Sequence, residues 1–195
     1  YEDVSRKDAI EMIHVFNSRG GEVKIVTGDD ARTCAAACDR LKFDYGVEGI
    51  KTPSDVPYVP LRNSVLSPSQ CNALDRVRAC AGMLSDDKRA LVSALRARGD
   101  VVGFVSDSAS DAAAIGLAHV GVATQSSTDA AKGASDIVLA VPSLAVLAHA
   151  VLAARVMFAR VRDYVIFRAT CTAHVLGFFV IGAIFVSPKP TSSRN

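Results

Sequence analysis

Short apolar runs alternate with amphipathic stretches along most of the chain, up to about Val141. Continuous apolar runs are typical of strands buried on both faces of a parallel sheet, and a 3.6-residue period between them indicates helices. The predicted strands lie at 23–26, 101–105, 120–123 and 137–139, and the predicted helices at 31–41, 67–79, 85–98, 112–117 and 128–133. This alternation predicts an α/β domain built on a doubly wound parallel sheet.

Two of the predicted helices have recognisable ends. Ser67 is the expected N-cap of one, because Pro68 follows it and proline is favoured in the first turn. The other helix opens at Ser85, its expected N-cap, and stops at Gly99, the residue type that most often follows a helix. The glycines and prolines of 43–60 predict a loop between the helices at 31–41 and 67–79.

Beyond Pro142 the pattern changes to one long, increasingly apolar helix. Residues 169–187 contain no Asp, Glu, Lys or Arg, and with 164–167 they reach the roughly 20 residues that a bilayer core requires. A buried core helix is the alternative, but 177–186 is apolar on every face, which favours a membrane span. Four arginines precede the uncharged stretch 169–187, and this basic flank predicts that the preceding domain is cytoplasmic: Arg155, Arg160, Arg162 and Arg168.

Composition narrows the class of protein further. The chain has 195 residues, of which 50% are hydrophobic and 22% charged, so neither a disordered tail nor a wholly membrane-embedded bundle is expected. The net charge of +2 does not indicate a nucleic-acid partner. Five scattered cysteines predict reduced thiols rather than a disulfide framework. The chain begins with Tyr1 rather than Met, so we expect a fragment or a processed product.

Polar groups suited to phosphate and metal chemistry follow two of the predicted strands. Thr27-Gly28-Asp29 offers a hydroxyl, a flexible backbone and a carboxylate to a phosphoryl group, although a plain turn would have the same sequence. Asp107 and Asp111 follow the strand at 101–105 and are hard-oxygen ligands of the kind that Mg²⁺ prefers. The alternative is that Asp107 or Ser108 caps the next helix and Asp111 lies on the surface. Ligands of such sheets gather at the carboxyl ends of the strands.

Lys88 adds a cation to this set. A lysine in the first turn of a helix opposes the helix dipole, which is reasonable if the ammonium faces an anion; a solvated surface lysine is the alternative. The order of hydroxyl, lysine and paired carboxylates is more specific than any one of them. Together they are the groups that metal-assisted phosphoryl transfer requires.

These segments carry a family resemblance. They match, in order, a strand ending in T-G-D (23–29), a phosphate-contacting lysine segment (85–88), the motif T-G-D-G-V-N-D-A-P-A-L (105–115), the stretch after it (128–139) and the entry into a fifth membrane helix (164–174). The sequence resembles the C-terminal part of the phosphorylation domain of a P-type ATPase, within the haloacid dehalogenase-like superfamily. Its greatest similarity is to the plasma-membrane proton pumps of fungi and plants.

The resemblance implies roles for individual residues. Thr27 would hydrogen-bond the phosphoryl group, Lys88 would neutralise its charge, and Asp107 would bind Mg²⁺ with Asp111 in support. The implied sites are catalytic Thr27, Gly28, Asp29 and Lys88, metal-binding Asp107 and Asp111, and nucleotide-contacting Asp3 and Arg6, where the family has D-P-P-R. Mg²⁺ is the implied cofactor, and ATP is the implied substrate of the intact pump.

The resemblance also implies an organisation. Residues 1–141 would form a partial phosphorylation domain, 142–163 a stalk helix, 164–187 a transmembrane helix and 188–195 a tail. The implied partners are membrane lipid and the remaining parts of a pump, namely its nucleotide-binding and actuator domains and other membrane helices. The implied location is a membrane, and the plasma membrane in particular.

Several departures from the family pattern bear on activity. The D-P-P-R motif reads Asp3-Val4-Ser5-Arg6, and in the motif at 105–115 Ser108 replaces Gly, Ser110 replaces Asn and Ala113 replaces Pro. The D-K-T-G-T loop with the nucleophilic aspartate is absent from the sequence, so we expect that this chain alone cannot hydrolyse ATP. A catalytically degenerate, membrane-tethered regulatory or interaction module is the alternative function. A soluble phosphatase of the same superfamily fits less well, because of the missing nucleophile and the apolar tail.

Two further features have competing explanations. Cys34 and Cys38 could bind a metal from one helix face, but two small buried side chains in an Ala-rich helix explain them more simply. His174 lies inside the apolar span, where ionisable groups often face a cavity. A neutral imidazole that hydrogen-bonds a neighbouring helix is the simpler explanation there.

Overall fold

The computed structural model describes residues 5–46, 49–56, 67–141 and 143–185, with side chains from Asp8 onward. The chain divides into two units, Tyr1–Ala148 and His149–Asn195. The helices are α1 (Ser5–Ser18), α2 (Ala31–Arg40), α3 (Pro68–Arg76), α4 (Ser85–Arg98), α5 (Ala112–Leu117), α6 (Asp129–Ala134) and α7 (Ala145–Phe185). The strands are β1 (Ile25–Val26), β2 (Ala79–Cys80), β3 (Gly103–Ser106), β4 (Val120–Ala123) and β5 (Ile137–Val138). Short 3₁₀ turns lie at Pro53–Asp55 and Ala109–Asp111.

The strands form two parallel sheets. In the first sheet β1 pairs with β2, with Ile25 opposite Ala79. In the second sheet the order is β3-β4-β5, with Ser106 opposite Ala123 and Ala123 opposite Val138. Parallel strands alternating with helices, followed by one long helix, confirm the predicted α/β fold.

The helix ends follow their predicted chemistry with one exception. The Ser67 hydroxyl accepts the backbone N–H of Gln70 and caps α3, and Gly99 takes the left-handed conformation (φ 101°) that ends α4. The prediction that Ser85 is an N-cap is wrong, because Leu84 occupies that position. The backbone N–H of Leu84 donates instead to the Asp87 carboxylate, which satisfies one of the free donors at the helix start.

The predicted helix at 67–79 is too long. It ends at Arg76, and Ala79–Cys80 forms β2. Ala79 and Cys80 are fully buried, and pairing with β1 satisfies their backbone groups in the interior. Helical periodicity within a segment does not reveal a partner strand that is distant in the sequence.

The apolar runs, which are typical of strands buried on both faces, do not all lie in such strands. Val122 and Ala123 of the central β4 are buried, but Val105 of β3 and Ile137 of β5 are 37% and 42% exposed. The reason is position, since β3 and β5 are the outer strands of a three-stranded sheet.

Two apolar clusters stabilise the first unit. One joins α3, β2 and α4 through Leu74, Cys80, Met83, Leu91 and Val92. The other gathers Ile13, Cys34, Cys38, Phe43 and Ala79 around α2. Cys34 and Cys38 are almost fully buried there, as their explanation by packing requires, and all five cysteines are free thiols.

A close helix–strand contact places α5 against β4. A Cβ atom at Gly121 would lie 2.6 Å from Ile115 Cγ2 and 2.7 Å from the Ile115 carbonyl oxygen. Only glycine therefore allows α5 to pack this closely on the central strand.

Helix α7 has a different character from the rest of the chain. Among the described residues it is the one helix long and apolar enough to cross a membrane. The hydroxyls of Thr170 and Thr172 donate to the carbonyls of Ile166 and Arg168, and His174 Nδ1 lies 2.9 Å from the Thr170 carbonyl oxygen. The predicted span extends to 187, and its last two residues lie outside the described ranges.

Candidate functional site

The loop after β1 holds the first group of site residues. Thr27 Oγ1 donates to the Asp29 carboxylate over 3.0 Å and accepts the Asp29 backbone N–H over 3.1 Å. Gly28 and Asp29 are exposed and Thr27 is half-buried. The loop thus presents a hydroxyl, an exposed glycine and a carboxylate at the carboxyl end of the strand.

The start of α4 lies beside this loop. The backbone N–H of Met83 donates to the Thr27 carbonyl over 2.9 Å, and that of Gly82 donates to the Asp29 carbonyl over 2.7 Å. Lys88 follows in the first turns of α4. Backbone hydrogen bonds therefore attach the segment that leads to Lys88 to the Thr27–Asp29 loop.

Lys88 forms a buried ion pair with Asp111. Its Nζ lies 2.9 Å from each carboxylate oxygen, and the two side chains are only 14% and 5% exposed. Ser106 Oγ donates to Asp111 Oδ2 over 2.6 Å. Lys88 is thus not a solvated surface lysine, and Asp111 is not a surface carboxylate.

Asp107 is placed differently from Asp111. It follows the last residue of β3, it is exposed, and its backbone carbonyl accepts the Thr128 N–H over 3.3 Å. The capping alternative applies to the next residue, since the Ser108 hydroxyl accepts the Ser110 N–H and caps the turn at Ala109–Asp111. The carboxylate of Asp107 is therefore the one that solvent reaches.

The fit to a divalent ion differs between these two carboxylates. Within the described ranges no three His, Cys, Asp or Glu residues form a cluster that could hold a metal by themselves. Mg²⁺ commonly uses one or two protein carboxylates together with waters and substrate phosphates, and exposed Asp107 fits that role. Asp111 has both oxygens engaged by Lys88 and Ser106, so its contacts favour support, and its direct metal binding stays a prediction.

The two residues predicted to contact the nucleotide have no described side chains. Asp3 lies outside the described residues, and Arg6 belongs to α1 but its side chain is not described. Their role stays a prediction.

Sequence reasoning missed Ser106. It stands at the position where the motif T-G-D-G has its first glycine, while Val105 stands in place of the threonine. A hydroxyl at a glycine position, five residues before a carboxylate, was the signal that could have identified it. The structure shows that this hydroxyl contacts the carboxylate directly.

Cys80, whose backbone is paired with Thr27, has a thiol of low reactivity. Burial raises the pKa of Cys80 to about 11, and its carbonyl accepts the Thr27 N–H. A buried thiol with a raised pKa is a poor nucleophile. The hydroxyl and carboxylate chemistry of the site therefore has no competing thiolate from Cys80.

Comparisons with known proteins show what the chain as a whole is similar to. Two relatives from Leishmania donovani, named "Probable proton ATPase 1A" and "Probable proton ATPase 1B", are each 30% identical over 194 residues, which is 98% of this chain and 20% of the relative. The chain is similar to part of these proton ATPases. It spans about a fifth of the length of these relatives. No family model matches the chain.

Solved structures show the same fold. A zinc-transporting PIB-type ATPase in the E2P state has a TM-score of 0.63 and 23% identity, covering 96% of this chain and 24% of the pump. A phosphatase from Moraxella catarrhalis that acts on 3-deoxy-D-manno-octulosonate 8-phosphate has a TM-score of 0.52 and 13% identity, covering 81% of this chain and 76% of the phosphatase. The resemblance to P-type ATPases and the predicted α/β fold that continues into a long helix are therefore confirmed.

Proposed function

We propose that this chain supplies part of the phosphorylation domain and one membrane helix of a P-type proton pump, in which ATP hydrolysis drives proton export. The observation that carries the proposal is the alignment with proton ATPases over 98% of the chain. The buried Lys88–Asp111 pair, in a segment attached to the Thr27–Asp29 loop, supports it.

Each polar group has a proposed task in phosphoryl transfer. Thr27 donates a hydrogen bond to the phosphoryl oxygens, and the exposed Gly28 lets the backbone approach them. The Asp29 backbone N–H holds the Thr27 oxygen in place, and the single hydroxyl hydrogen, which the Asp29 carboxylate accepts in this structure, would turn to the phosphoryl oxygens. The Lys88 ammonium has three N–H donors, and two of them contact the Asp111 carboxylate. The third N–H is the one that donates to the phosphate.

Asp107 is the proposed Mg²⁺ ligand. A bound Mg²⁺ would neutralise charge on the phosphate oxygens and align them. Asp107 would hold the ion from the end of β3. Asp111 would support the site by keeping Lys88 in place. Asp3 and Arg6 remain proposed nucleotide contacts.

The proposal includes a membrane location. Residues 1–141 would belong to the phosphorylation domain, 142–163 to the stalk and 164–187 to a span, followed by a tail at 188–195. The uncharged stretch of α7 supports contact with lipid, and the arginines before it support a cytoplasmic first unit. The other pump domains and membrane helices would be its partners, and the plasma membrane would be its location. The alternative of a regulatory module is not favoured by the comparisons.

A chimaera tests the function. The aligned fifth of the Leishmania donovani proton ATPase 1A is replaced by this chain, and ATP-dependent acidification of vesicles is measured. We expect pumping, and a loss of about 10²- to 10³-fold in the Lys88→Ala chimaera, since one charge-stabilising donor typically contributes this much. The half-exposed neighbour Arg89 provides the matched control, and Arg89→Ala should pump normally. A chimaera that folds, inserts and does not pump contradicts the proposal.

Cys171 tests the membrane location separately. It is a free, exposed thiol within the uncharged part of α7. In vesicles containing the full chain, with Cys71→Ser to remove the half-buried thiol, a water-soluble maleimide should leave Cys171 unmodified until detergent is added. Rapid labelling of intact vesicles would contradict a span at this position.

A further inference from the structure

A chain of serine side chains surrounds the carboxylate of Asp111. Ser106 Oγ donates to Oδ2 over 2.6 Å, and Ser110 Oγ lies 3.4 Å from Oδ1. Ser108 connects these two, since its N–H donates to Ser106 Oγ over 3.3 Å and its hydroxyl lies 2.8 Å from Ser110 Oγ. The three serines occupy positions where the motif has Gly, Gly and Asn.

Ser106 makes the strongest of these contacts. A separation of 2.6 Å is in the range of charge-assisted O–H···O⁻ hydrogen bonds, whereas 3.4 Å is at the limit of any hydrogen bond. Ser106 is itself held in place at the end of β3, because the buried Ser127 donates its hydroxyl to the Ser106 carbonyl over 3.3 Å. Its hydroxyl therefore acts from a fixed point of the sheet.

The Asp111 carboxylate has little remaining acceptor capacity. A carboxylate offers about four lone-pair positions, and Lys88 takes one on each oxygen while Ser106 takes another. Without Ser106, the Asp111 carboxylate could rotate and still contact Lys88. Its plane would then lack the hydrogen bond from Ser106 that fixes its orientation. The ammonium lies 2.9 Å from both oxygens, so its position follows the orientation of that plane.

We infer that Ser106 is a positioning residue: its hydroxyl orients the Asp111 carboxylate, and through it the Lys88 ammonium. The role is one that a glycine at this position could not perform, since glycine has no hydroxyl. Its value to catalysis rests on the proposed function, in which Lys88 contacts the phosphoryl group. The arrangement of the three side chains is open to test without that function.

The first experiment observes Lys88 directly. Side-chain ammonium signals in ¹H–¹⁵N NMR spectra persist when hydrogen bonds slow proton exchange with water, and the buried Lys88 should give one in the full chain in detergent micelles. Ser106→Ala should broaden or remove that signal, and Ser106→Thr, which retains the hydroxyl, should restore it. Ser135→Ala is the matched control, because Ser135 is also half-buried and hydrogen-bonded, to the Lys132 carbonyl. An unchanged Lys88 signal in a folded Ser106→Ala chain overturns the inference.

The second experiment connects the position to the ligand. Binding of inorganic phosphate in the presence of MgCl₂ is measured by calorimetry on the same full-chain variants. We expect Ser106→Ala to weaken binding about threefold to tenfold, the range for one hydrogen bond, with Ser106→Thr and Ser135→Ala near the wild-type value. Equal affinities for phosphate in wild type and Ser106→Ala overturn the link to the ligand. Absence of phosphate binding in the wild type counts against the proposed function, and the NMR result still decides the role of Ser106.

Discussion

In the first unit, Lys88 of α4, Asp111 of the 3₁₀ turn before α5 and Ser106 of β3 satisfy one another. In α7, by contrast, the hydroxyls of Thr170 and Thr172 donate to carbonyls of their own helix. The apolar side chains are also distributed in opposite ways. Leu74 is fully buried in the first unit, while Leu176 and Phe178 of α7 are 60% and 75% exposed.

This difference indicates two different surroundings. A globular unit can bury a polar group when distant elements supply its partners, because folding brings them together. A helix in a bilayer must satisfy its polar groups internally or from another helix, and it can expose apolar side chains to lipid. The predictions below test how far this contrast holds, from the largest expected effect to the smallest.

The buried ion pair should be the most sensitive point of the first unit. Asp111→Ala leaves the Lys88 ammonium buried without its partner, which we expect to cost about 3–5 kcal/mol of unfolding free energy. Urea unfolding followed by circular dichroism measures the loss. Asp86→Ala is the control, since the Asp86–Arg89 pair is exposed and should contribute at most about 1 kcal/mol. Similar losses in the two variants would mean that the pair is not a specific support of the fold.

Equivalent leucine truncations in the two units should have unequal effects. Leu74→Ala removes a fully buried side chain, and we expect a loss of about 2–5 kcal/mol. Leu176→Ala truncates a side chain that is 60% exposed and belongs to the other unit, so unfolding of the first unit should be unchanged. Urea titration of both variants in detergent gives the comparison. Equal destabilisation would contradict the assignment of Leu176 to a lipid-facing surface.

Alkaline pH should destabilise the first unit selectively. Burial raises the pKa of the Cys38 and Cys80 thiols to about 11, from an ordinary value of 9.0. Their contribution to stability is complete below pH 9 and is lost as the pH rises through about 11, because the unfolded chain releases these protons first. Unfolding free energies measured from pH 8 to 11 should fall more steeply for wild type than for the Cys38→Ala, Cys80→Ala double variant. Parallel curves would show that these thiols do not titrate as their burial requires.

The N-cap of α3 should have the smallest effect. Ser67→Ala removes the acceptor of the Gln70 N–H, and we expect a loss of about 1 kcal/mol. Thermal unfolding is sensitive enough to detect it, and Ser67→Asp should recover most of the loss because Asp is also a good cap. A loss in Ser67→Asp as large as that in Ser67→Ala would argue against capping.

The sequence predicted the parts of the fold that depend on local chemistry. The Ser67 cap, the Gly99 terminus and the uncharged stretch of α7 are set by neighbouring residues, and the structure agrees with each. The strand β2 was missed because its only reason to be a strand is pairing with β1, about fifty residues earlier in the chain. Periodicity within a segment contains no information about such a partner.

The candidate site was predictable to a similar degree. The residue types pointed to Thr27 and Asp111 after two of the strands and to Lys88 in the first turn of a helix, and the roles of these residues stay predictions. That Lys88 pairs with Asp111, and that Ser106 completes the pair, depends on how α4, α5 and β3 pack together. Only coordinates show that Asp111 faces a lysine while Asp107 faces solvent.

The Lys88–Asp111 pair depends on Gly121 as well as on the charged residues themselves. An alanine there would meet the backbone of Ile115, which has no side-chain rotation by which to yield, so α5 would have to move away from β4. Because Asp111 is the residue at the start of α5, that displacement would shift the aspartate relative to Lys88. A single methyl group on β4 is thus expected to disturb the Lys88–Asp111 pair while leaving every charged side chain intact.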